Sequence, residues 1–115
     1  MAGAQALADY LREFIHTPLT IIFGAMRDKD LTEIAASLFP MALHLILTQP
    51  DNPRAAHVDS LHALALIHRP ASRITVCPRV KEALELAQNQ TAHSGVVCVT
   101  GSLYLIGEVK SLLAA

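Results

Sequence analysis

The sequence predicts an α/β fold in which helices cover both faces of a doubly wound, mostly parallel sheet. Short runs of β-branched and other apolar residues alternate strictly with segments of helical periodicity along the chain. These runs are apolar at nearly every position, which is typical of parallel strands buried on both faces. Right-handed crossovers between successive strands complete the prediction of a Rossmann-like sheet.

The first half of the chain predicts a helix, a strand and a second helix. One face of the first helix carries apolar residues at helical spacing, namely Ala4, Leu7, Leu11 and Phe14. This helix ends before Pro18, and the apolar run LTIIFGAM at 19–26 is the first strand. Asp30 followed by Glu33 resembles a capping box and starts the second helix, which Pro40 closes. The inward face of that helix is Leu31, Ile34, Ala35 and Leu38.

The second half of the chain repeats this alternation three times. Strands are predicted at 43–48, 73–77 and 95–100, and helices at 57–68, 80–88 and 103–113. The inward face of the helix at 80–88 is Val80, Ala83, Leu84 and Ala87. The chain opens with a helix, whereas such domains usually open with the strand that leads into it. We therefore interpret the sheet as lacking its first strand.

Length and composition restrict the class of protein. With 115 residues, the chain predicts a single domain, 1–115, that is large enough to bury a core. The net charge is −1, acidic and basic residues are interspersed, and aromatic residues are scarce, so we expect no nucleic-acid partner. The apolar runs are too short for a membrane span, and no secretion signal is visible. Cys77 and Cys98 lie in apolar runs, which suits buried, reduced thiols and a cytoplasmic location.

Polar residues follow each predicted strand directly, in the loops MRDKD, QPDNPR, CPR and TGS. In an open parallel sheet, ligands bind beyond the carboxyl ends of the strands, so we expect these loops to form one site. Three of the loops contain an arginine, a group that captures carboxylate or phosphate with two parallel hydrogen bonds: Arg27, Arg54 and Arg79. Gly101 and the expected N-cap Ser102 add a helix N-terminus, and Asp51 is available for an ammonium group.

Each of these features also has a purely structural interpretation. An arginine after a strand is commonly a solvated surface charge, and Gly101 with Ser102 is equally consistent with a tight turn and its cap. The six histidines show no zinc-ligand spacing, and no serine or cysteine has the setting of a nucleophile. No phosphate-binding G-x-x-x-x-G-K-[ST] loop occurs. We therefore predict no catalytic and no metal-binding residue in this chain.

The segments IIFGAMRDKDLTEIAASLFP, LTQPDNPRA and VTGSLYLIGEVK, in this order and spacing, resemble a known family. They are similar to the C-terminal domain of bacterial folylpolyglutamate synthase/dihydrofolate synthase, in the Mur ligase superfamily. The resemblance implies a ligase that joins tetrahydrofolate or dihydropteroate to L-glutamate through an acyl phosphate and releases ADP and phosphate. It also implies ATP and Mg²⁺ as cofactors. An N-terminal P-loop ATPase domain of the same polypeptide would bind them, and this chain alone would bind neither.

The resemblance also implies roles for individual residues. The residues expected to bind the incoming glutamate are Arg27, Asp51, Asn52, Arg54, Gly101 and Ser102. Lys29 and Arg79 are expected on the nucleotide side or in an auxiliary role. Leu105 stands where the muramyl ligases carry a glutamate, so recognition of the side chain must differ. The ribose-contacting motif Asp-Gly-Ala-His-Asn-Pro and the P-loop domain are absent, so we expect the isolated chain to be inactive.

Two other interpretations remain open. The chain could be a stand-alone α/β module that binds a small anion and catalyses nothing, or a domain of a muramyl- or cyanophycin-type amino-acid ligase. Under the folate-ligase interpretation its partners are the P-loop domain, a folate and L-glutamate, with no membrane and no nucleic acid. The family places its first strand near the middle of the sheet. Loss of that strand predicts a homodimer, a rearranged sheet or marginal stability.

Overall fold

A computed structural model describes residues 2–114, and the described part of the chain contains five α-helices and four β-strands. In chain order these are α1 Ala2–Phe14, β1 Leu19–Phe23, α2 Thr32–Leu38, β2 His44–Leu47, α3 Val58–His68, β3 Ile74–Val76, α4 Val80–Gln90, β4 Val96–Thr100 and α5 Leu103–Ala114. Short 3-10 turns, Phe39–Met41 and Ala71–Arg73, precede β2 and β3. Met1 and Ala115, the two ends of the predicted domain, lie outside the described residues. All the predicted helices and strands are confirmed, with boundaries within three residues.

The four strands form one parallel sheet in the order β3-β2-β1-β4. Alternate residues of β1 point to opposite faces, as the strand period requires. Ile21 and Phe23 pack with residues of α1, α2 and α3, whereas Ile22 packs with residues of α4 and α5. Helices therefore cover both faces of the sheet, and the predicted doubly wound α/β class is confirmed.

The described sheet has no gap at its centre. β1 pairs directly with β2 on one side and with β4 on the other, so that Ile21 lies opposite both Leu45 and Cys98. The gap that loss of a central strand would leave is therefore not found in the described sheet. Backbone donors and acceptors of the two inner strands are already used, and a further strand can pair only with the free edge of β3 or of β4.

The position of each strand in the sheet decides how deeply it is buried. All five residues of β1 are buried, but β3 and β4 are half-exposed along their whole length because each is an edge strand. Cys98 lies in β4, and Cys77 directly follows β3. Both are free thiols, and both are partly exposed, whereas the sequence predicted full burial. The burial that remains still raises the pKa of the Cys98 thiol, because the thiolate loses water contacts.

The first helix buries a slightly different face from the predicted one. Ala4, Ala8 and Leu11 are buried, and Ile15, just beyond the helix, packs against the same core. Phe14 is 59% exposed, and its ring lies 4.9 Å from that of Tyr10. Phe14 and Ile15 follow Leu11 by three and four residues, so either could lie on the same helix face. In the structure it is Ile15 that contacts the core. The prediction of a buried Phe14 is wrong for this reason.

Candidate functional site

Because all four strands are parallel, their carboxyl ends lie at one edge of the sheet, which we call the carboxyl edge. The loops that leave this edge are residues 24–31 after β1 (the β1 loop), 48–57 after β2 (the β2 loop), 77–79 after β3 and 101–102 after β4 (the β4 loop). Successive strands run from β1 to β3 in one direction, and β4 then lies on the other side of β1. This reversal of strand order is where open α/β sheets form their ligand crevice.

The β1 and β2 loops are joined by backbone hydrogen bonds. Met26 and Ala55 form an isolated antiparallel bridge, and the Arg27 N–H donates to the Arg54 carbonyl at 2.8 Å. The Ala56 N–H donates to the carbonyl of Ala25 at 2.7 Å. These contacts bring Arg27 and Arg54 next to one another, and both side chains are exposed to solvent. The structure thus brings together two of the predicted site residues that lie 27 positions apart in the sequence.

The two polar residues nearest Arg54 are engaged with it. The Arg54 guanidinium donates to the Asp28 carboxylate, and the side chains of this ion pair are 62% and 51% exposed. The Asn52 side-chain oxygen accepts a hydrogen bond from the Arg54 backbone N–H at 2.9 Å. Asn52 therefore shapes the turn that presents Arg54, which is a common role of asparagine in loops.

Asp51 faces a different part of the carboxyl edge. It lines a cavity of about 480 Å³ together with Arg79 and Lys81, whereas Arg27 lines a separate cavity of about 260 Å³. The structure therefore does not bring Asp51 and Arg27 into one cavity. The Asp51 N–H donates to Oε1 of Glu108 in α5 at 2.5 Å.

Glu108 was not predicted from the sequence. It lies 57 residues from Asp51 along the chain, and only the packing of α5 brings the two together. It lies in the segment IGEVK, and nothing in this local sequence distinguishes Glu108 from an ordinary solvent-exposed glutamate on a helix.

Lys29 lies between two cavities of the carboxyl edge. It lines the cavity that contains Arg27, and also one of about 250 Å³ that contains Gly101 and Ser102. Next to it, Asp30 accepts a hydrogen bond from the Thr32 N–H at 3.0 Å, which holds the pKa of the Asp30 carboxyl below its ordinary value. Asp30 thus satisfies a donor at the start of α2, although Leu31 occupies the N-cap position.

Gly101 and Ser102 have clear structural roles. Gly101 has a φ of +117°, and a Cβ there would lie 2.3 Å from the Gly24 carbonyl oxygen. Ser102 is buried, and its hydroxyl oxygen accepts the Leu105 N–H at 3.0 Å, which caps α5. The absence of a Cβ at Gly101 thus lets the β4 loop approach the β1 loop, and Gly24, which was not predicted as a special position, likewise lets the β1 loop approach the β2 loop, since a Cβ there would lie 2.9 Å from the Thr48 carbonyl oxygen.

The chemistry of the side chains does not favour a metal site. Within residues 2–114, no group of three or more His, Cys, Asp or Glu side chains is arranged to hold a metal ion. His57 accepts the Asp59 N–H at 3.3 Å and so caps α3, which is a structural use.

None of the described helices is long and apolar enough to cross a membrane.

Comparison with known families identifies the domain. The sequence profile of the family described as Mur ligase, glutamate ligase domain, matches residues 1–103. The chain belongs to this family. A relative from Halobacterium salinarum, described as a probable bifunctional folylpolyglutamate synthase/dihydropteroate synthase, is 32% identical over 106 residues. That match covers 92% of this chain and 13% of the relative. A dihydrofolate synthase/folylpolyglutamate synthase from Mycobacterium tuberculosis is 27% identical, over 96% of this chain and 26% of its own length.

Solved structures of folylpolyglutamate synthases also contain a domain with the fold of this glutamate ligase domain. Folylpolyglutamate synthase from Mycobacterium tuberculosis, complexed with ADP, superposes with a TM-score of 0.91 at 25% identity. The superposition covers 99% of this chain and 28% of that protein. Folylpolyglutamate synthase from Thermotoga maritima gives a TM-score of 0.81 at 28% identity, over 99% of this chain and 25% of that protein. The chain therefore spans only about a quarter or less of the length of these relatives.

Proposed function

We propose that this glutamate ligase domain is the C-terminal domain of an ATP-dependent folate–glutamate ligase. In that enzyme, which we expect in the cytoplasm, it binds the incoming L-glutamate and closes over a nucleotide held by an N-terminal P-loop domain. The names of the relatives favour a folate substrate over a muramyl or cyanophycin-type substrate. The observation that carries the proposal is the hydrogen-bonded pairing of the β1 and β2 loops, which puts Arg27 beside Arg54 at the carboxyl edge.

The proposed reaction assigns a binding task to this domain. ATP phosphorylates a folate carboxylate in the other domain, and the glutamate amine displaces phosphate to form the amide. The residues of this chain hold the carboxylates of glutamate so that its amine faces the acyl phosphate. Two adjacent guanidinium groups suit this task because each can form two parallel hydrogen bonds to a carboxylate.

The ion pair between Arg54 and Asp28 does not prevent this binding. Both side chains are more than half exposed, and such surface pairs contribute only about 0–1 kcal/mol. A bidentate, charge-assisted contact with a bound carboxylate is worth about 1.5–3 kcal/mol. Glutamate therefore displaces Asp28 from Arg54 with a net gain, and Asp28 keeps the guanidinium oriented before the substrate arrives.

The nucleotide and the metal ion belong to the rest of the polypeptide in this proposal. The chain has no phosphate-binding loop, and its described residues offer no cluster of metal ligands. Relatives with bound ADP, and one with AMPPNP and manganese, are several times longer than this chain. ATP with Mg²⁺ would supply the phosphoryl group that activates the folate carboxylate. We accordingly expect ligase activity only when the P-loop domain is present.

Substitution of Arg54 tests the proposal in the complete enzyme. Arg54→Ala should raise the apparent Michaelis constant for glutamate about ten- to hundredfold, since about 1.5–3 kcal/mol of binding is lost. Arg54→Lys should restore little of it, because an ammonium group cannot form two parallel hydrogen bonds to one carboxylate. The Michaelis constant for ATP should stay the same. Steady-state kinetics with glutamate and ATP varied separately measure both effects.

Arg12 provides a matched control for this experiment. It forms an ion pair with Asp9 on α1 that is as exposed as the Arg54 pair, and it lies outside the proposed site. Arg12→Ala should therefore leave both Michaelis constants unchanged. An unchanged glutamate constant together with weaker ATP binding in Arg54→Ala would place Arg54 on the phosphate side. Loss of folding, monitored by circular dichroism, would show instead that Arg54 has a structural role.

A further inference from the structure

Helix α5 contacts three of the four loops at the carboxyl edge. It starts at the β4 loop, where Ser102 caps its first turn. Leu105, one turn later, is fully buried, and its side chain lies 3.3 Å from the position that a Cβ on Gly24 would occupy. Glu108, another turn along, accepts the N–H of Asp51 from the β2 loop. One rigid helix thus fixes the β1, β2 and β4 loops relative to one another.

Glu108 contacts the β2 loop at Asp51, three residues before Arg54. On one side, this loop is tied to the β1 loop by the Met26–Ala55 bridge and by the bond from Arg27 to Arg54. On the other side, Glu108 accepts the Asp51 N–H at 2.5 Å. Removing Glu108 would leave the Asp51 N–H without its acceptor, while the Gln49 N–H at the start of the loop still donates to the Pro78 carbonyl at 3.3 Å.

We propose that Glu108 is a positioning residue, which holds the segment from Asp51 to Arg54 in the conformation that binds the incoming amino acid. This inference rests on the proposed function. A carboxylate is a strong acceptor for a backbone N–H, because a charged partner makes the bond about twice as strong as a neutral one. A loop that is already ordered loses less conformational entropy when the substrate binds, and substrate affinity rises accordingly.

Leu105 and Glu108 on α5 make different kinds of contact. Leu105 is fully buried and packs in the core with Ile22 and Ile46. That position therefore has no access to a ligand. Glu108 lies three residues further along α5, is only partly exposed, and uses a carboxylate oxygen on the protein backbone.

Amide hydrogen exchange in this 115-residue chain tests the contact without any ligase assay. In Glu108→Ala, the Asp51 N–H should exchange about tenfold faster, because its acceptor is gone. Glu108→Gln should exchange at an intermediate rate, since the side-chain amide oxygen still accepts the bond but carries no charge. Glu85→Ala is the control, because Glu85 is an exposed helix glutamate on α4 outside the site. Unchanged exchange at Asp51 in Glu108→Ala would overturn the proposal, whatever the function of the chain.

Kinetics of the complete enzyme test the consequence for binding. Glu108→Ala should raise the Michaelis constant for glutamate about three- to tenfold and leave that for ATP unchanged. Glu108→Gln should remain within about twofold, because it keeps the hydrogen bond. If Gln were as defective as Ala, retention of the hydrogen-bond acceptor would not preserve binding, and the positioning role would be excluded. If faster exchange occurred with no change in glutamate affinity, the positioning role would also be excluded. Failure of Arg54→Ala to affect glutamate would count against the proposed function separately.

Discussion

At the scale of single residues, short polar side chains determine the shape of the carboxyl edge by bonding to nearby backbone. The Asn52 side-chain oxygen accepts the N–H of Arg54, two residues later, and the Asp30 carboxylate accepts the N–H of Thr32 in the same way. Both are Asx turns, in which a side chain stands in for a backbone carbonyl. Residues that are polar and exposed can therefore serve the loop itself, while the neighbouring arginine remains available for a ligand.

The Asp30 turn predicts a pH-dependent contribution to stability. Its hydrogen bond with Thr32 lowers the pKa of Asp30 in the folded state, so the contribution is complete above the ordinary aspartate pKa. It is lost as the pH falls through the lowered folded-state pKa. Asp30→Ala should therefore destabilise the domain at neutral pH, and the difference from wild type should shrink as the pH falls below the ordinary aspartate pKa. Thermal unfolding of both proteins across this range measures the difference, and a constant difference would contradict the assignment.

Two glycines near α5 predict opposite effects of the same substitution. Gly101→Ala should destabilise the domain by at least about 1–3 kcal/mol from backbone strain, because φ is +117° and the new Cβ would meet the Gly24 carbonyl. Gly107 lies within α5, and a Cβ there would meet no neighbouring element within 4 Å, so Gly107→Ala should stabilise the domain by about 0.5–1 kcal/mol. Urea unfolding gives both values. Equal effects at the two positions would argue against the close approach of the β1 and β4 loops.

At the scale of elements, the two edge strands differ in how well they are protected from pairing. β3 has three residues and lies between Arg73 and Pro78, and short strands with flanking charge and proline resist further pairing. β4 has five residues, VVCVT, with no charge and no proline. Of the two edges of the described sheet, β4 is therefore the one suited to accept another strand.

Self-association through β4 is the prediction for the molecule as a whole. We expect the isolated chain to form a dimer in which the free edge of β4 pairs with β4 of a second copy. Sedimentation velocity over a range of concentrations should show a reversible monomer–dimer equilibrium. A monomer at every concentration would contradict this expectation.

Val97→Pro separates this dimer contact from the fold. The Val96 N–H donates to Pro18 on the β1 side, so the N–H of Val97 points to the free edge. Proline removes that donor without removing a bond to β1. The variant should be monomeric and folded by circular dichroism. Cys98→Pro is the matched comparison, because the N–H of Cys98 points towards β1 and its loss should weaken the sheet itself.

The sequence by itself determined the type and order of the elements and the loops in which polar residues collect. Hydrophobic periodicity depends on neighbouring residues, so the strands, the helices and the capping serine Ser102 could be predicted from local pattern. The placement of Arg27 and Arg54 at one edge of the sheet also followed, since parallel strands put their carboxyl ends at one edge. Their residue-level roles in binding stay predictions.

Only the tertiary structure decided which residues meet across the sheet. It placed β4 directly beside β1, which removed the expected central gap. It separated Asp51 from Arg27 and paired Asp51 with Glu108. It also brought Gly24 against Gly101. Each of these contacts joins residues far apart in the chain, and their formation depends on how whole helices and strands pack, which local pattern does not encode.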